Sequence, residues 1–155
     1  MNLGATLLWG FAATIVLTTL LSAGRAFGLT RMDISFMLGT MFTENRDKAK
    51  WFGFLFHLTN GWIFAFIYSA AFWNTGLSNL WFGAAIGLVH ALFVLTVGMS
   101  LLPTFHPRMA TEQRGPDPTR QLEPPGFLAM NYGKQTPIAT VVAHLVYGGI
   151  LGFFL

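Results

Sequence analysis

Four histidines carry most of the chemistry that the 155 residues of this chain can offer, because the chain has no cysteine. Without thiols it cannot form disulfides, iron–sulfur clusters or thiolate metal sites. An imidazole can still bind iron, copper or zinc, or carry a proton near neutral pH. His57, His90 and His144 lie in long apolar stretches, whereas His106 lies among loop charges. The first three are therefore the candidates for a buried functional site.

The segments that follow His57 and His144 resemble each other. Residues 57–66 and 144–153 agree at six of ten positions, counting one pair of small residues, in the pattern H-L-x-x-G-x-I-x-small-F. This internal repeat predicts two similar helical hairpins, related by a pseudo-twofold axis along the membrane normal. The two histidines would then lie at one depth.

Small residues at every fourth position indicate which way these histidines face. One such column contains Gly53, His57 and Gly61, and its counterpart contains His144, Gly148 and Gly152. Columns of this kind let helix backbones approach closely in lipid. The imidazoles should therefore point into a helix bundle, where each polar group needs a partner.

Several interpretations of the histidines stay open. In the structural one, each ring bonds a helix carbonyl or a neighbouring polar side chain. In the second, His57 and His144 bind a b-type haem or a divalent metal ion, with His90 as a third ligand. The third is a proton, quinone, lipid or small-solute site in a transporter-like oligomer. The polar neighbours that these interpretations share are Asn60, Tyr68 and Tyr147.

The composition indicates that long apolar helices position these residues. Hydrophobic residues make up 54% of the chain and charged residues 10%, and the mean hydropathy is +0.56. This is too little charge to cover a soluble domain. A membrane-spanning helix needs about 20 apolar residues. We predict an all-α fold, a single integral membrane domain over residues 1–155, with a four-helix transmembrane bundle whose spans are 3–23, 50–73, 77–102 and 136–155.

All charged side chains fall in two loops, residues 24–49 and 103–135, or directly beside them at Lys50, and they comprise nine Lys and Arg and six Asp and Glu. Four spans bring both loops to one face, and the positive-inside rule makes that face cytoplasmic. Both termini would then lie on the periplasmic or outer side. No Lys or Arg precedes the first apolar run, so we expect a true span there and no cleaved signal peptide.

The two loops differ in character. Apolar residues between Ile34 and Phe42 recur with helical spacing after Thr30–Asp33, which resembles a capping box, and they predict a short interfacial helix. All seven prolines lie between Pro103 and Pro137, so the second loop should be an extended proline-rich segment packed on the bundle or on a partner. The bases expected to contact lipid headgroups are Arg31, Arg46, Lys48 and Lys50.

Three motifs resemble those of a group of uncharacterised small four-span bacterial membrane proteins. They are the His-Leu-x-x-Gly pattern, H-P-R-M at residues 106–109 and Q-L-E-P-P-G-F at residues 121–127. The resemblance covers most of the chain. It implies a bacterial cytoplasmic (inner) membrane and adds no catalytic residue.

The sequence carries no recognisable catalytic motif. It has no phosphate-binding Gly-rich loop, no H-E-x-x-H, no G-x-S-x-G and no acid within a predicted span. Its bases are dispersed among acids, which does not favour binding to nucleic acid. We therefore predict a noncatalytic accessory or assembly subunit of a larger membrane complex, in contact with lipid and with other membrane subunits or copies of itself. A redox protein that binds haem or metal is the alternative.

Overall fold

The computed structural model describes residues 2–111, 114–115, 117 and 122–155. The described residues form helices and no β-strand. The helices are α1 (Leu3–Ala26), α2 (Ile34–Gly39), α3 (Arg46–Thr75), α4 (Leu80–Phe93), a π-helical turn (Val94–Gly98), α5 (Met99–Phe105), a 3₁₀ segment (Phe127–Tyr132) and α6 (Thr136–Phe154). Since α4, the π-helical turn and α5 form one continuous rod, four helices are long and apolar enough to cross a membrane: Leu3–Ala26, Arg46–Thr75, Leu80–Phe105 and Thr136–Phe154.

The helices start and end a few residues away from the predicted spans because capping side chains set their ends. Asn45 caps α3, accepting hydrogen bonds from the backbone N–H groups of Asp47 and Lys48, so this helix starts before the predicted residue 50. Asn79 caps α4 by accepting from Phe82 N–H, so the third span starts after residue 77. Hydropathy locates the apolar core of a span, whereas a polar cap locates the end of the helix.

The α6 helix packs against both α4 and α1, and α1 packs in turn on α3. The α4–α6 crossing is close because glycines meet there. A Cβ atom added to Gly148 would lie 3.0 Å from Gly87 Cα, and one added to Gly152 would lie 2.9 Å from Gly83 Cα. The close approach predicted from the small-residue columns is confirmed at this crossing.

The short α2 helix packs on α3. Its N-cap is Asp33, which accepts from Phe36 N–H at 3.0 Å, so the predicted capping box with Thr30 as its first residue is wrong. Met37, Leu38 and Gly39 are buried, and a Cβ at Gly39 would lie 2.8 Å from the backbone nitrogen of Gly53. Gly53 belongs to the column of small residues that was expected to face another membrane span. In the structure it contacts the short α2 helix instead.

The described parts of both charged loops meet at one end of the bundle, which we call the charged end. Arg31 N–H donates to Tyr132 O at 2.7 Å, and the Thr30 and Thr136 hydroxyls lie 2.7 Å apart. Within the second loop, Ala110 N–H donates to Leu122 O at 3.0 Å. The prediction that four spans place both loops at the same face agrees with these contacts. Two charged residues of that prediction, Glu112 and Arg120, lie outside the described residues, and so do Pro116 and Pro118 of the predicted proline-rich segment.

Candidate functional site

A cavity of about 230 Å³ lies inside the half of the bundle nearer the charged end, and we call it the histidine cavity. All three span histidines line it. The polar residues around it are Thr14, His57, Asn60, His90, Thr140, His144 and Tyr147. The apolar residues around it include Leu17, Leu21, Met32, Met37, Phe64, Val94, Met99 and Leu102. An apolar cavity with a few convergent polar groups is typical of a small-molecule site.

The protonated nitrogen of His57 follows from its hydrogen-bond partners on α1. Thr18 donates its hydroxyl proton to Thr14 O at 2.7 Å, and the same hydroxyl oxygen lies 3.1 Å from His57 Nδ1. Because that hydroxyl has only one proton, its oxygen accepts from Nδ1–H. A neutral imidazole protonated at Nδ1 carries a lone pair at Nε2, and this Nε2 has no hydrogen-bond partner among the described residues.

His144 has the same tautomer for a simpler reason. Its Nδ1 lies 2.8 Å from the carbonyl oxygen of Thr140, one helical turn earlier, and a carbonyl oxygen can only accept. The proton of the neutral ring is therefore on Nδ1, and the lone pair is again on Nε2. No described residue donates a hydrogen bond to it. His57 and His144 thus each bring an unsatisfied acceptor to the cavity.

His90 occupies a different environment. Its ring stacks on Phe64 with centroids 3.7 Å apart and meets the His144 ring edge-on at 4.7 Å. Its Nδ1 lies 3.3 Å from the Tyr68 hydroxyl, which can act as donor or acceptor. The sequence placed the three histidines in one region, and the structure puts them around one cavity with His90 packed among aromatic rings.

The three polar neighbours predicted from the sequence lie in this region but differ in role. Tyr147 donates to Gly61 O at 2.6 Å, and Tyr68 faces His90, so both hydroxyls have protein partners. Asn60 lines the cavity, and its side-chain amide makes no hydrogen bond with the described residues. Three threonines were missed, namely Thr14, Thr18 and Thr140. Their signal in the sequence was the four-residue spacing Gly10–Thr14–Thr18 and Thr136–Thr140–His144, which places them on the buried helix faces.

Thr140 is the least satisfied of these groups. It is 1% exposed, it lines the cavity, and its hydroxyl has no hydrogen-bond partner. Leaving a buried hydroxyl unpaired costs roughly 1–3 kcal/mol. The unpaired hydroxyl thus belongs to a residue that lines the same cavity as His57 and His144, and the Nε2 atoms of these two rings would gain hydrogen bonds from a ligand placed there.

Replacing this hydroxyl with a methyl group is expected not to destabilise the ligand-free protein. Thr140→Val should leave the free energy of unfolding unchanged or raise it by about 1 kcal/mol, because it removes an unpaired buried polar group. Thr136→Val is the matched control one turn earlier. Thr136 is equally buried but bonds Thr30 at 2.7 Å, so its loss should cost about 1 kcal/mol. Reversible unfolding in mixed micelles measures the stability of both variants. If Thr140→Val lowers the free energy of unfolding as much as Thr136→Val does, the Thr140 hydroxyl is not unpaired as described.

A π-helical turn forms part of the cavity wall. Val94 and Gly98, its first and last residues, both line the cavity. Insertions of this kind are rare in helices and occur frequently at functional sites. The cavity wall therefore combines an irregular helical turn with the unpaired polar groups.

The donor set does not favour the haem and metal alternative. Among the described residues no three His, Asp, Glu or Cys side chains are grouped so as to hold a metal ion. No carboxylate is found among the described residues that line the cavity, so they would not balance the charge of a divalent ion there. The cavity is also smaller than the roughly 300–1,000 Å³ of pockets for drug-sized ligands, and a porphyrin is at least as large as such ligands.

A cap closes the cavity toward the charged end. The segment around α2 supplies the apolar side chains of Met32, Ile34, Met37 and Leu38 to the cavity wall. His106, from the second loop, holds this segment, since its Nε2–H donates to Met37 O at 2.9 Å. Thus a residue of the second loop fixes the backbone that carries the cap.

The same cap also binds Arg108. Its guanidinium donates to Thr40 O at 2.7 Å and lies 3.3 Å from the Glu44 carboxylate. Arg108 N–H donates to His106 Nδ1 at 3.1 Å, so this ring carries its proton on Nε2. Burial lowers the pKa of His106, and the nearby Arg108 charge lowers it further, although the bond to Met37 O acts in the opposite direction. The cap is therefore built around a neutral imidazole.

The four bases predicted to contact lipid headgroups lie at the charged end. Arg31 bonds Asn131 O and pairs with Glu123 at 3.3 Å, so it ties the two loops together. Arg46 lies 4.7 Å above the Phe36 ring. Lys48 and Lys50 are exposed on the first turns of α3. Beside Arg31, burial and the Glu123 charge raise the pKa of Tyr132 to about 12, and its hydroxyl donates to Glu123 O at 2.5 Å.

No family model, curated protein or solved structure matches this chain.

Proposed function

We propose that this four-span membrane protein binds a small, neutral, amphiphilic molecule in the histidine cavity. The observation that carries the proposal is that the Nε2 atoms of His57 and His144 have no hydrogen-bond partner among the described residues, and that both rings line this cavity beside Thr140, whose buried hydroxyl is also unpaired. Buried polar groups without partners are rare, and they are concentrated where a ligand or water completes them.

The lining favours an uncharged ligand with a polar end and an apolar end. Among the described residues that line the cavity there is no Asp, Glu, Lys or Arg, so a charged ligand would be desolvated without compensation. The deeper wall holds Asn60, His90 and Tyr147, while the wall near the charged end holds Met32, Met37 and Leu102. A ligand would therefore place its polar end toward the membrane centre and its apolar end under the cap.

This function fits a noncatalytic subunit. The described residues that line the histidine cavity supply hydrogen-bond acceptors and hydroxyl groups but no acid and no activated nucleophile. The resemblance of its motifs to small bacterial membrane proteins leads us to place the protein in a bacterial inner membrane, as a ligand-binding accessory subunit. The charged end would lie in the cytoplasm and both termini outside, because nine bases lie in or beside the two loops. Arg46, Lys48 and Lys50 are the bases that we expect to contact anionic headgroups.

The test uses 4-propylphenol, a single ring with a hydroxyl and a short apolar tail, as the probe. Equilibrium dialysis against the full-length protein in lipid nanodiscs, with empty nanodiscs as background, should show saturable binding of about one probe per chain. Thr140→Met, which places a flexible side chain in the cavity, should weaken binding at least tenfold. Thr19→Met is the matched control, because Thr19 is exposed on the lipid-facing side of α1.

Two results would contradict the proposal. One is the absence of saturable binding above the empty nanodiscs. The other is equal binding by wild type and Thr140→Met, which would place the probe elsewhere. Size-exclusion profiles and helix content identical to wild type establish that Thr140→Met is folded before its binding is compared.

A further inference from the structure

We infer that the histidine cavity selects its ligand by a hydrogen-bond donor, so that it takes an alcohol, phenol or hydroquinone and rejects the matching ether or carbonyl compound. The inference rests on the proposed function and names the class of ligand. It follows from the fixed tautomers of two rings and from the absence, among the described residues, of any donor bonded to their Nε2 atoms.

The first fixed acceptor is His57 Nε2. Two consecutive bonds set it: Thr18 gives its only proton to Thr14 O at 2.7 Å, so the Thr18 oxygen, 3.1 Å from Nδ1, must accept. For the neutral ring to donate from Nε2, Thr18 would have to break its bond to the helix backbone. Thr18 is therefore a positioning residue, which acts on the ligand only through His57.

The second fixed acceptor is His144 Nε2. Here the partner of Nδ1 is the Thr140 carbonyl oxygen at 2.8 Å, which has no proton to give. This acceptor cannot be reversed by rotating a hydroxyl. His144 is 5% exposed and lines the cavity, and no described residue donates a hydrogen bond to its Nε2.

These two lone pairs decide between ligands of the same shape. A ligand hydroxyl can donate to a lone pair, whereas an ether or carbonyl oxygen would bring a second lone pair against it. Thr140 and Asn60 can each donate or accept, so they do not reverse the preference. The cavity thus has more acceptors than donors, and burial makes an unmet acceptor costly.

The experiment compares 4-propylphenol with 4-propylanisole, in which a methyl group replaces the hydroxyl proton. In nanodiscs, after subtraction of empty-disc partitioning, the wild type should bind the phenol about tenfold or more tightly than the anisole. Thr18→Val should reduce this ratio to about threefold, because His57 Nδ1 loses its acceptor and the ring can adopt either tautomer. Thr18→Ser keeps the hydroxyl and should restore the ratio, and Thr19→Val, a lipid-facing control, should leave it unchanged.

The outcomes separate the inference from the proposed function. Equal binding of both probes in wild type overturns donor selection while leaving the cavity a ligand site. Binding of neither probe removes the proposed function itself. A wild-type ratio of tenfold that Thr18→Val leaves unchanged overturns the assignment of Thr18 as the residue that fixes the His57 tautomer.

Discussion

Gly148→Ala is expected to destabilise the bundle by roughly 3 kcal/mol, although it adds only one methyl group. The added Cβ would collide with Gly83 O and lie 3.0 Å from Gly87 Cα, so α4 and α6 would have to move apart. Backbone atoms cannot rotate away as a flexible side chain can. The same crossing contains the His144 backbone, which lies against Gly87, so the separation would also displace a ring of the cavity.

Gly149→Ala is the matched control for this prediction. A Cβ at Gly149 would lie 3.7 Å from Leu80 Cγ, an ordinary contact, and alanine favours a helix over glycine by roughly 1 kcal/mol. This variant should be neutral or slightly stabilising. Reversible denaturation of both variants in mixed micelles measures the difference. Equal stability of the two alanine variants would mean that the α4–α6 approach is not as close as described.

His106→Ala should destabilise the protein by roughly 3 kcal/mol. His106 is 1% exposed, and its ring bonds both Met37 O and Arg108 N–H. Truncation leaves a void under the cap, removes one of the two donors to Met37 O and leaves Arg108 N–H without its partner. Thr104→Ala, two residues earlier and exposed, is the control and should change stability by no more than about 0.5 kcal/mol. If His106→Ala lowers the free energy of unfolding by less than about 1 kcal/mol in the same assay, the conclusion that His106 holds the cap in place is contradicted.

The contribution of His106 to the free energy of unfolding should also depend on pH. Its pKa in the folded protein is lowered by burial, so the unfolded chain takes up a proton first as the pH falls. Stability is therefore unaffected by this group above about pH 6.5 and decreases below that value. The difference in stability between wild type and His106→Gln, which keeps a donor for Met37 O, isolates this effect from the other histidines. A difference that is constant between pH 5 and 8 would contradict the assignment.

The architecture could be predicted from the sequence because it depends on strong, repeated signals. Long apolar stretches gave the four spans, and the confinement of charge to two loops indicated that both loops meet at one end. The glycine columns of α4 and α6 indicated a close helix crossing, since in lipid only small residues allow it. The pairing into two similar hairpins and the membrane orientation stay predictions.

The details of the site could not be predicted from the sequence, because they depend on contacts between residues far apart in the chain. The fixed tautomer of His57 requires that Thr18 on α1 reach α3, a pairing of residues 39 positions apart with no local signature. The cap requires that His106 find Met37, 69 positions away. Helical spacing showed that Ile34–Gly39 is amphipathic, but it could not show whether that face meets lipid or α3.

The most direct test of the central claim is a ¹⁵N NMR titration of histidine-labelled protein in nanodiscs with 4-propylphenol. Acceptance of a hydrogen bond changes the chemical shift of a bare imidazole nitrogen, so the spectrum reports on the atoms that form the site. We predict that the Nε2 resonances of His57 and His144, identified by their loss in His57→Gln and His144→Gln, shift saturably in wild type and stay in place in Thr140→Met. Unchanged Nε2 resonances at probe concentrations that saturate binding would contradict a ligand site in the histidine cavity.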